Sequence, residues 1–161
     1  MTIKAGDRIP SATLWRVGKD GVDKVDAVKY LEKKRVVIIG VPGAFTSVCS
    51  QKHLPAYIQN SHKIKGKGAD EIVCVAVNDP AVLRAWGESL HIDDRISLLS
   101  DGNGDFTKAM GLELDLRAKG LGIRSQRYSM IVDDGLVETL NVEPVAGEVT
   151  LSGADVCMGV L

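Results

Sequence analysis

Two uninterrupted apolar runs, Val36-Val37-Ile38-Ile39-Gly40-Val41 and Ile72-Val73-Cys74-Val75-Ala76-Val77, constrain this chain more than any other feature. A strand with one wet face alternates apolar and polar residues. A run without alternation belongs to a central strand covered on both faces, the pattern of parallel sheets. Between the two runs, Leu54, Tyr57, Ile58 and Ile64 recur at helical spacing from about Val48 to Lys65, with Pro55 expected to kink the helix. After the second run, Asn78-Asp79-Pro80 supplies a cap and a first-turn proline, and Val82, Ala85, Trp86 and Leu90 are expected to form the buried stripe of the next helix.

The remaining segments extend the same plan. The first 25 residues alternate weakly around Gly18 and Asp20-Gly21 and read as an edge hairpin, and Asp26 caps a short helix to about Lys33. Ile96–Leu99 reads as a third core strand, followed by a turn at Asp101-Gly102 and a short helix around Phe106 and Met110. Tyr128–Asp133 and Leu136–Leu140 flank Asp134-Gly135, a two-residue hairpin signal, and a helix of about Ser152–Val160 closes the chain. The core order β-α-β-α-β-α-β-β-α implies an α/β fold with a mixed central sheet flanked by helices, its parallel pairs joined by right-handed crossovers. At 161 residues, a single domain over 1–161 is expected.

Several function classes recede on composition. A net charge of −1 provides neither a basic field for nucleic acid nor a polybasic patch for a membrane, and the lysines at 63, 65 and 67 read as a solvated helix end. No apolar run approaches the roughly 20 residues that span a bilayer. The N-terminal residues form neither a signal core nor an Arg-rich targeting segment, so a cytoplasmic protein is expected, a trimmed organellar form being compatible with the same sequence. Three cysteines, Cys49, Cys74 and Cys157, at no short spacing, fit reduced thiols rather than a disulfide framework, a Cys-x-x-Cys redox pair or a zinc site.

The chemistry concentrates directly after the first strand, in Pro42-Gly43-Ala44-Phe45-Thr46-Ser47-Val48-Cys49. This places Cys49 in the first turn of a helix, where unpaired N–H groups and the helix dipole favour the thiolate, the reactive form of a thiol. His53 lies one turn further on the same face. It reads as a packing or hydrogen-bonding neighbour, since no third and fourth metal-ligand positions accompany it.

Pro42-x-x-x-Thr46-x-x-Cys49 resembles the active-site signature of the peroxiredoxins. The longer string through Ser50, with His53-Leu54-Pro55 after it, resembles the type II, peroxiredoxin 5-like group, and the plant-type members fit best. Ala76-Val77-Asn78-Asp79-Pro80, Trp86-Gly87, residues 111–116 and 120–125, and Asn141-Val142-Glu143 continue the match over essentially the whole chain. The resemblance implies a thioredoxin-like fold. It also implies reduction of hydrogen peroxide or alkyl hydroperoxides through a sulfenic acid at Cys49, with no cofactor and no metal.

By that resemblance, Thr46 Oγ bonds the sulfur and the peroxide, and N–H groups around Gly43, Val48 and Cys49 add substrate-binding donors. Pro42 walls the pocket against water, and Arg127, at the start of the hairpin strand, holds thiolate and peroxide oxygen together. Arg124, three residues earlier, is the alternative arginine, and the family pattern favours Arg127. The second cysteine of plant-type members matches Cys74, a possible resolving residue, although its strand context favours core packing. The loop that holds the resolving cysteine of animal members corresponds here to Gly147–Ser152 and contains none, with Leu151 near that position. Cys157 has no counterpart and is expected to pack on the terminal helix. An external reductant is therefore expected, glutathione with glutaredoxin or thioredoxin directly. A homodimer built through the loops flanking the site, including Asn78–Trp86, is also implied. The rivals weighed against this reading are a thioredoxin-like disulfide reductase, a cysteine hydrolase, and a peroxide-sensing or chaperone-like partner protein that uses the same thiol.

Overall fold

The computed structural model describes residues 2–161. Among the described residues, nine strands form two sheets: β1 (Thr13–Gly18), β2 (Gly21–Asp26), β3 (Arg35–Val41), β4 (Glu71–Ala76), β5 (Ser97–Ser100), β6 (Glu113–Asp115), β7 (Ile123–Ser125), β8 (Tyr128–Asp133) and β9 (Leu136–Val142). Seven of them build a sheet in the order β2-β1-β5-β4-β3-β8-β9, and β6 pairs with β7 in a small ribbon. The β3–β4 and β4–β5 pairs are parallel and the others antiparallel, so the two apolar runs are adjacent central strands of a mixed sheet. The alternate residues of each run feed opposite cores. Val37, Ile39, Val41, Ile72, Cys74 and Ala76 face one side, and Val36, Ile38, Val73 and Val75 the other. The β6–β7 ribbon has no sequence signal beyond three-residue runs and went unanticipated.

Helices cover both faces: α1 (Ala27–Tyr30), α2 (Leu54–Gln59), α3 (Ser61–Gly66), α4 (Pro80–Ser89), α5 (Asp105–Met110) and α6 (Ala154–Val160). Asp26 caps α1 by accepting from the Val28 and Lys29 N–H groups, and Asp79 caps α4 by accepting from Val82. Helix α1 stops sooner than expected, its C-cap at Leu31 being followed by Lys33 at a left-handed φ of 57°. The hairpin turn at Asp134-Gly135 has φ of 48° and 79°, as a type I′ turn requires.

Two local expectations need correction. The buried stripe of α4 is Leu83, Trp86 and Gly87, with Val82 and Leu90 at its margins and Ala85 exposed. The helix is rotated because Gly87 lets it approach β5, a Cβ there coming within 2.8 Å of Leu98 Cδ1. Nor is the irregularity after Cys49 a kink at Pro55. Cys49–His53 forms a π-helical turn, and Pro55 sits in the first turn of α2. A proline ring collides with the carbonyl four residues earlier, and widening the preceding turn removes that collision.

Candidate active site

Strand β3 ends at Val41, and the chain turns through Pro42-Gly43-Ala44, all buried, into a helical segment that starts at Ser47. The turn is fixed from outside by Asn78, whose Oδ1 accepts from the Ala44 N–H at 2.9 Å. The Ser50 N–H bonds the Thr46 carbonyl at 3.0 Å. Helical geometry therefore leaves the Ser47, Val48 and Cys49 N–H groups in the first turn without intrahelical acceptors. The Cys49 side chain is fully buried.

Arg127, 2 % exposed, reaches it from the residue before β8, the strand paired antiparallel to β3. Its Nη2 donates to Cys49 Sγ at 3.0 Å, its Nη1 to His53 Nδ1 at 2.9 Å, and its Nε to the Ala146 carbonyl at 2.8 Å. Three donors thus have acceptors in three directions, which fixes the guanidinium plane. Arginine has only donors, so His53 Nδ1 must be unprotonated; Nε2, 3.1 Å from the Ser152 carbonyl, then carries the proton. His53 is therefore neutral and holds Arg127 in register.

The Ser152 carbonyl is held in turn. It accepts from Tyr57 Oη at 2.6 Å, while Glu143 accepts from the Ser152 N–H and Oγ and from the Thr150 N–H and Oγ1 at 2.6–2.8 Å. The Glu143 N–H donates to the Arg127 carbonyl at 2.9 Å, closing a ring of contacts. Burial opposes ionisation of Glu143, but the donors from Ser152 and Thr150 outweigh it and hold the carboxyl at about 2. Sequence reasoning caught His53 as a neighbour of the site and missed the anchoring by Glu143 and Ser152. The signal available was a carboxylate, Glu143, directly after the apolar Leu140 and Val142 of a strand end.

The other expected residues fall as follows. Pro42 and Gly43 are buried at the mouth of the turn. The Thr46 hydroxyl donates to the Gly43 carbonyl at 2.7 Å rather than to the sulfur, which leaves its lone pairs free to accept a hydrogen bond from a ligand. Cys74 is buried in the same core as Cys49, its thiol pushed up by burial and then by the proximity of Cys49. Cys157 is buried on α6, again with its thiol pushed up by burial. No two of the three cysteines are joined. One contact went unforeseen: Trp86 Nε1 donates to Ser50 Oγ at 2.8 Å and ties α4 to the residue after Cys49. Among the described residues, no three His, Cys, Asp or Glu side chains are grouped to hold a metal ion, and no helix is long and apolar enough to cross a membrane.

The His53 environment sets a pH dependence. Burial, and then the Arg127 guanidinium, lower His53 from 6.5 to about 4, against the opposing pull of the Ser152 carbonyl and Glu143. As pH falls through about 6.5 the unfolded imidazole takes a proton that the folded one refuses until about 4. Stability is therefore lost across that window, on the order of 3 kcal/mol in all. Glu143 continues the loss in the same direction between about 4.5 and 2. Urea unfolding at pH 7, 5 and 4 is expected to show this slope, and His53→Gln, with one acceptor and one donor but no titration, should flatten it. Identical slopes in both proteins would contradict the assigned geometry.

Comparison with known proteins places the whole chain in one family. The Redoxin family model matches residues 4–156. Peroxiredoxin-2B of Arabidopsis thaliana is 43 % identical over 154 residues, covering 95 % of this chain and 94 % of the relative. Relatives named as chloroplastic and mitochondrial forms match at 44 % and 48 % identity. Among solved structures, reduced Prx3 of Vibrio vulnificus in complex with hydrogen peroxide superposes with a TM-score of 0.93 at 43 % identity, covering 99 % of each chain. The Plasmodium falciparum antioxidant protein, described as a 1-Cys peroxiredoxin, superposes with a TM-score of 0.90 at 27 % identity, covering 96 % of this chain and 95 % of that one.

Proposed function

Because the chain belongs to the Redoxin family and is a type II peroxiredoxin with a thioredoxin-like fold, a thiol-dependent peroxidase, we propose that Cys49 is its peroxide-reactive residue. The observation that carries this assignment is the Arg127 Nη2 donor 3.0 Å from a fully buried Cys49 Sγ. The Cys49 thiolate attacks one oxygen of a hydroperoxide, the S–O bond forms as the O–O bond breaks, and the sulfur is oxidised to sulfenic acid. The leaving oxygen departs with the O–O electron pair, takes a proton and is released as water or an alcohol. Arg127 supplies a fixed cation where that negative charge moves, and the orphan N–H groups of Val48 and Cys49 add donors. Thr46, its own proton committed to the Gly43 carbonyl, accepts from the peroxide O–H and orients the O–O bond toward the sulfur. Pro42 keeps water from the thiolate.

Regeneration falls to an external thiol, glutathione with glutaredoxin or thioredoxin. Burial and the neighbouring Cys49 hold the Cys74 thiol in its protonated, weakly nucleophilic form, and Cys157 is likewise protonated. The protein acts in the cytoplasm as one thioredoxin-like unit over 1–161 and pairs as a homodimer through the loops beside the site. Phe45 supports that pairing: it is 56 % exposed and holds a left-handed φ of 64° next to the Pro42–Thr46 turn.

Stopped-flow oxidation by hydrogen peroxide followed by mass-tag counting of thiols tests the cycle. Cys49 is expected to react far faster than free glutathione and to yield a sulfenic acid with Cys74 and Cys157 still free. A rate no faster than that of glutathione removes the assignment of Cys49. Quantitative bridging of Cys49 to Cys74 or Cys157 removes the external reductant.

A further inference from the structure

Arg124 is placed where an unpartnered cation needs an explanation. Its Nε donates to the Leu121 carbonyl at 2.7 Å, which anchors the guanidinium by one edge. Its Nη1 lies directly over the active-site turn, 3.0 Å from where a Cβ on Gly43 would stand. The same notional Cβ would come within 3.3 Å of Thr46 Cγ2 and 4.0 Å of Asn78 Oδ1. A side chain at 43 would press on the guanidinium, so glycine there leaves it room to lie close over the turn. Arg124 is half-buried, yet among the described residues the ion pairs are Lys4–Asp7, Lys34–Glu71, Arg35–Glu138 and Arg117–Asp115, and none involves it. Its two Nη groups present an open fork, the geometry that receives a carboxylate end-on.

The fork opens into a groove of about 350 Å³ that runs from Val77 and Gly102 past Asn103 and Thr107 to Lys108 and Glu113. Lys108 and Glu113 are exposed, and neither is paired with the other or with Arg124. The groove thus carries two cations and one carboxylate, all with free valences. It adjoins the reactive site through Asn78, which follows Val77. Asn78 holds the Ala44 N–H by its side chain and accepts from Ser100 Oγ with its carbonyl at 2.6 Å.

We propose that this groove is a carboxylate subsite at the edge of the Cys49 site. It holds the charged end of a small carboxylate-bearing molecule while the reactive end reaches the sulfur past Gly43. The inference rests on the peroxidase reading above. The carboxylate belongs either to an oxidising hydroperoxide or to a reducing thiol, since both must approach Cys49.

Single-turnover kinetics separate the two sources. In the oxidant arm, tert-butyl hydroperoxide is compared with 4-hydroperoxy-4-methylpentanoate. In the reductant arm, the Cys49 sulfenic acid is reacted with 2-mercaptoethanol or with 3-mercaptopropionate. In at least one arm, the ratio of carboxylated to neutral rate is expected to fall at least about tenfold in Arg124→Gln, which removes the charge-assisted hydrogen bonds of the fork. It should fall less in Lys108→Gln and shrink with added salt in the wild type. The arm that responds identifies the source, and both responding identifies a shared subsite. Unchanged ratios in both arms overturn the proposal. So does a variant whose only effect is a shift in self-association by sedimentation velocity, since Arg124 then belongs to an interface. Failure of hydrogen peroxide to oxidise wild-type Cys49 is a different result, and it removes the peroxidase reading together with the subsite.

Discussion

Replacing Arg127 with alanine is expected to slow oxidation of Cys49 by hydrogen peroxide about 10²–10³-fold, the loss typical of one preorganised donor at a developing negative charge. The expectation follows from where the guanidinium is tied. Nη2 reaches the sulfur while Nη1 and Nε are fixed by His53 and the Ala146 carbonyl, so the donor is already aimed before a peroxide arrives. Lysine in its place carries the charge on one ammonium that cannot serve all three acceptors, and Arg127→Lys should recover less than a tenth of the lost rate. Alanine also strands His53 Nδ1 in a buried site, at a cost of about 1–3 kcal/mol, and leaves the half-buried Ala146 carbonyl without its donor at a smaller cost. Unfolding midpoints must therefore accompany the rates. Trp86, bonded to Ser50 beside Cys49, provides a fluorescence signal for the oxidation step. A variant that stays folded and reacts at the wild-type rate would make Arg127 a structural residue only.

The sheet was legible because its signals are local. Val36–Val41 and Ile72–Val77 lack alternation because both their faces are covered, and that property is written residue by residue. Asp79-Pro80 and Asp134-Gly135 act through their own backbone chemistry and were equally readable. The site divides differently. Cys49 and Thr46 share one turn, but Arg127 arrives from 78 residues away along an antiparallel strand, and no spacing rule connects them. Only the resemblance to a known signature did so. The contacts that orient Arg127 were less visible still, because two of the acceptors, the Ala146 and Ser152 carbonyls, are backbone atoms that any residue provides. The π-turn at Cys49–His53 arises from a proline beyond it, so the residues of the turn do not announce it. The α4 stripe departs from Val82, Ala85, Trp86 and Leu90 because a glycine gives no apolar signal, yet the missing side chain of Gly87 is what brings the helix onto Leu98.

Gly40→Ala should be the most damaging single-methyl change in the molecule, costing about 3 kcal/mol or more, the upper end of what overpacking a core produces. Gly40 lies in β3 directly opposite Tyr128 of β8, and a Cβ there would stand 2.0 Å from Tyr128 Cε1 and 2.4 Å from Cδ1 and Cζ. These are ring atoms of a fully buried side chain, so neither a bond rotation nor an exit to solvent relieves the overlap. The strands must separate or the ring must be expelled. Because Tyr128 immediately follows Arg127, either response moves the guanidinium from the sulfur, and Cys49 oxidation should slow even in molecules that remain folded. Shrinking the ring tests that mechanism: Tyr128→Leu in the Gly40→Ala background should recover most of the lost stability. Tyr128→Phe alone should be neutral or slightly stabilising, since the buried phenol oxygen has no hydrogen-bond partner among the described residues. Chemical denaturation of the wild type, Gly40→Ala, Tyr128→Leu and the double variant decides the matter, and additive effects in the double variant would refute direct contact between Gly40 and Tyr128 as the cause.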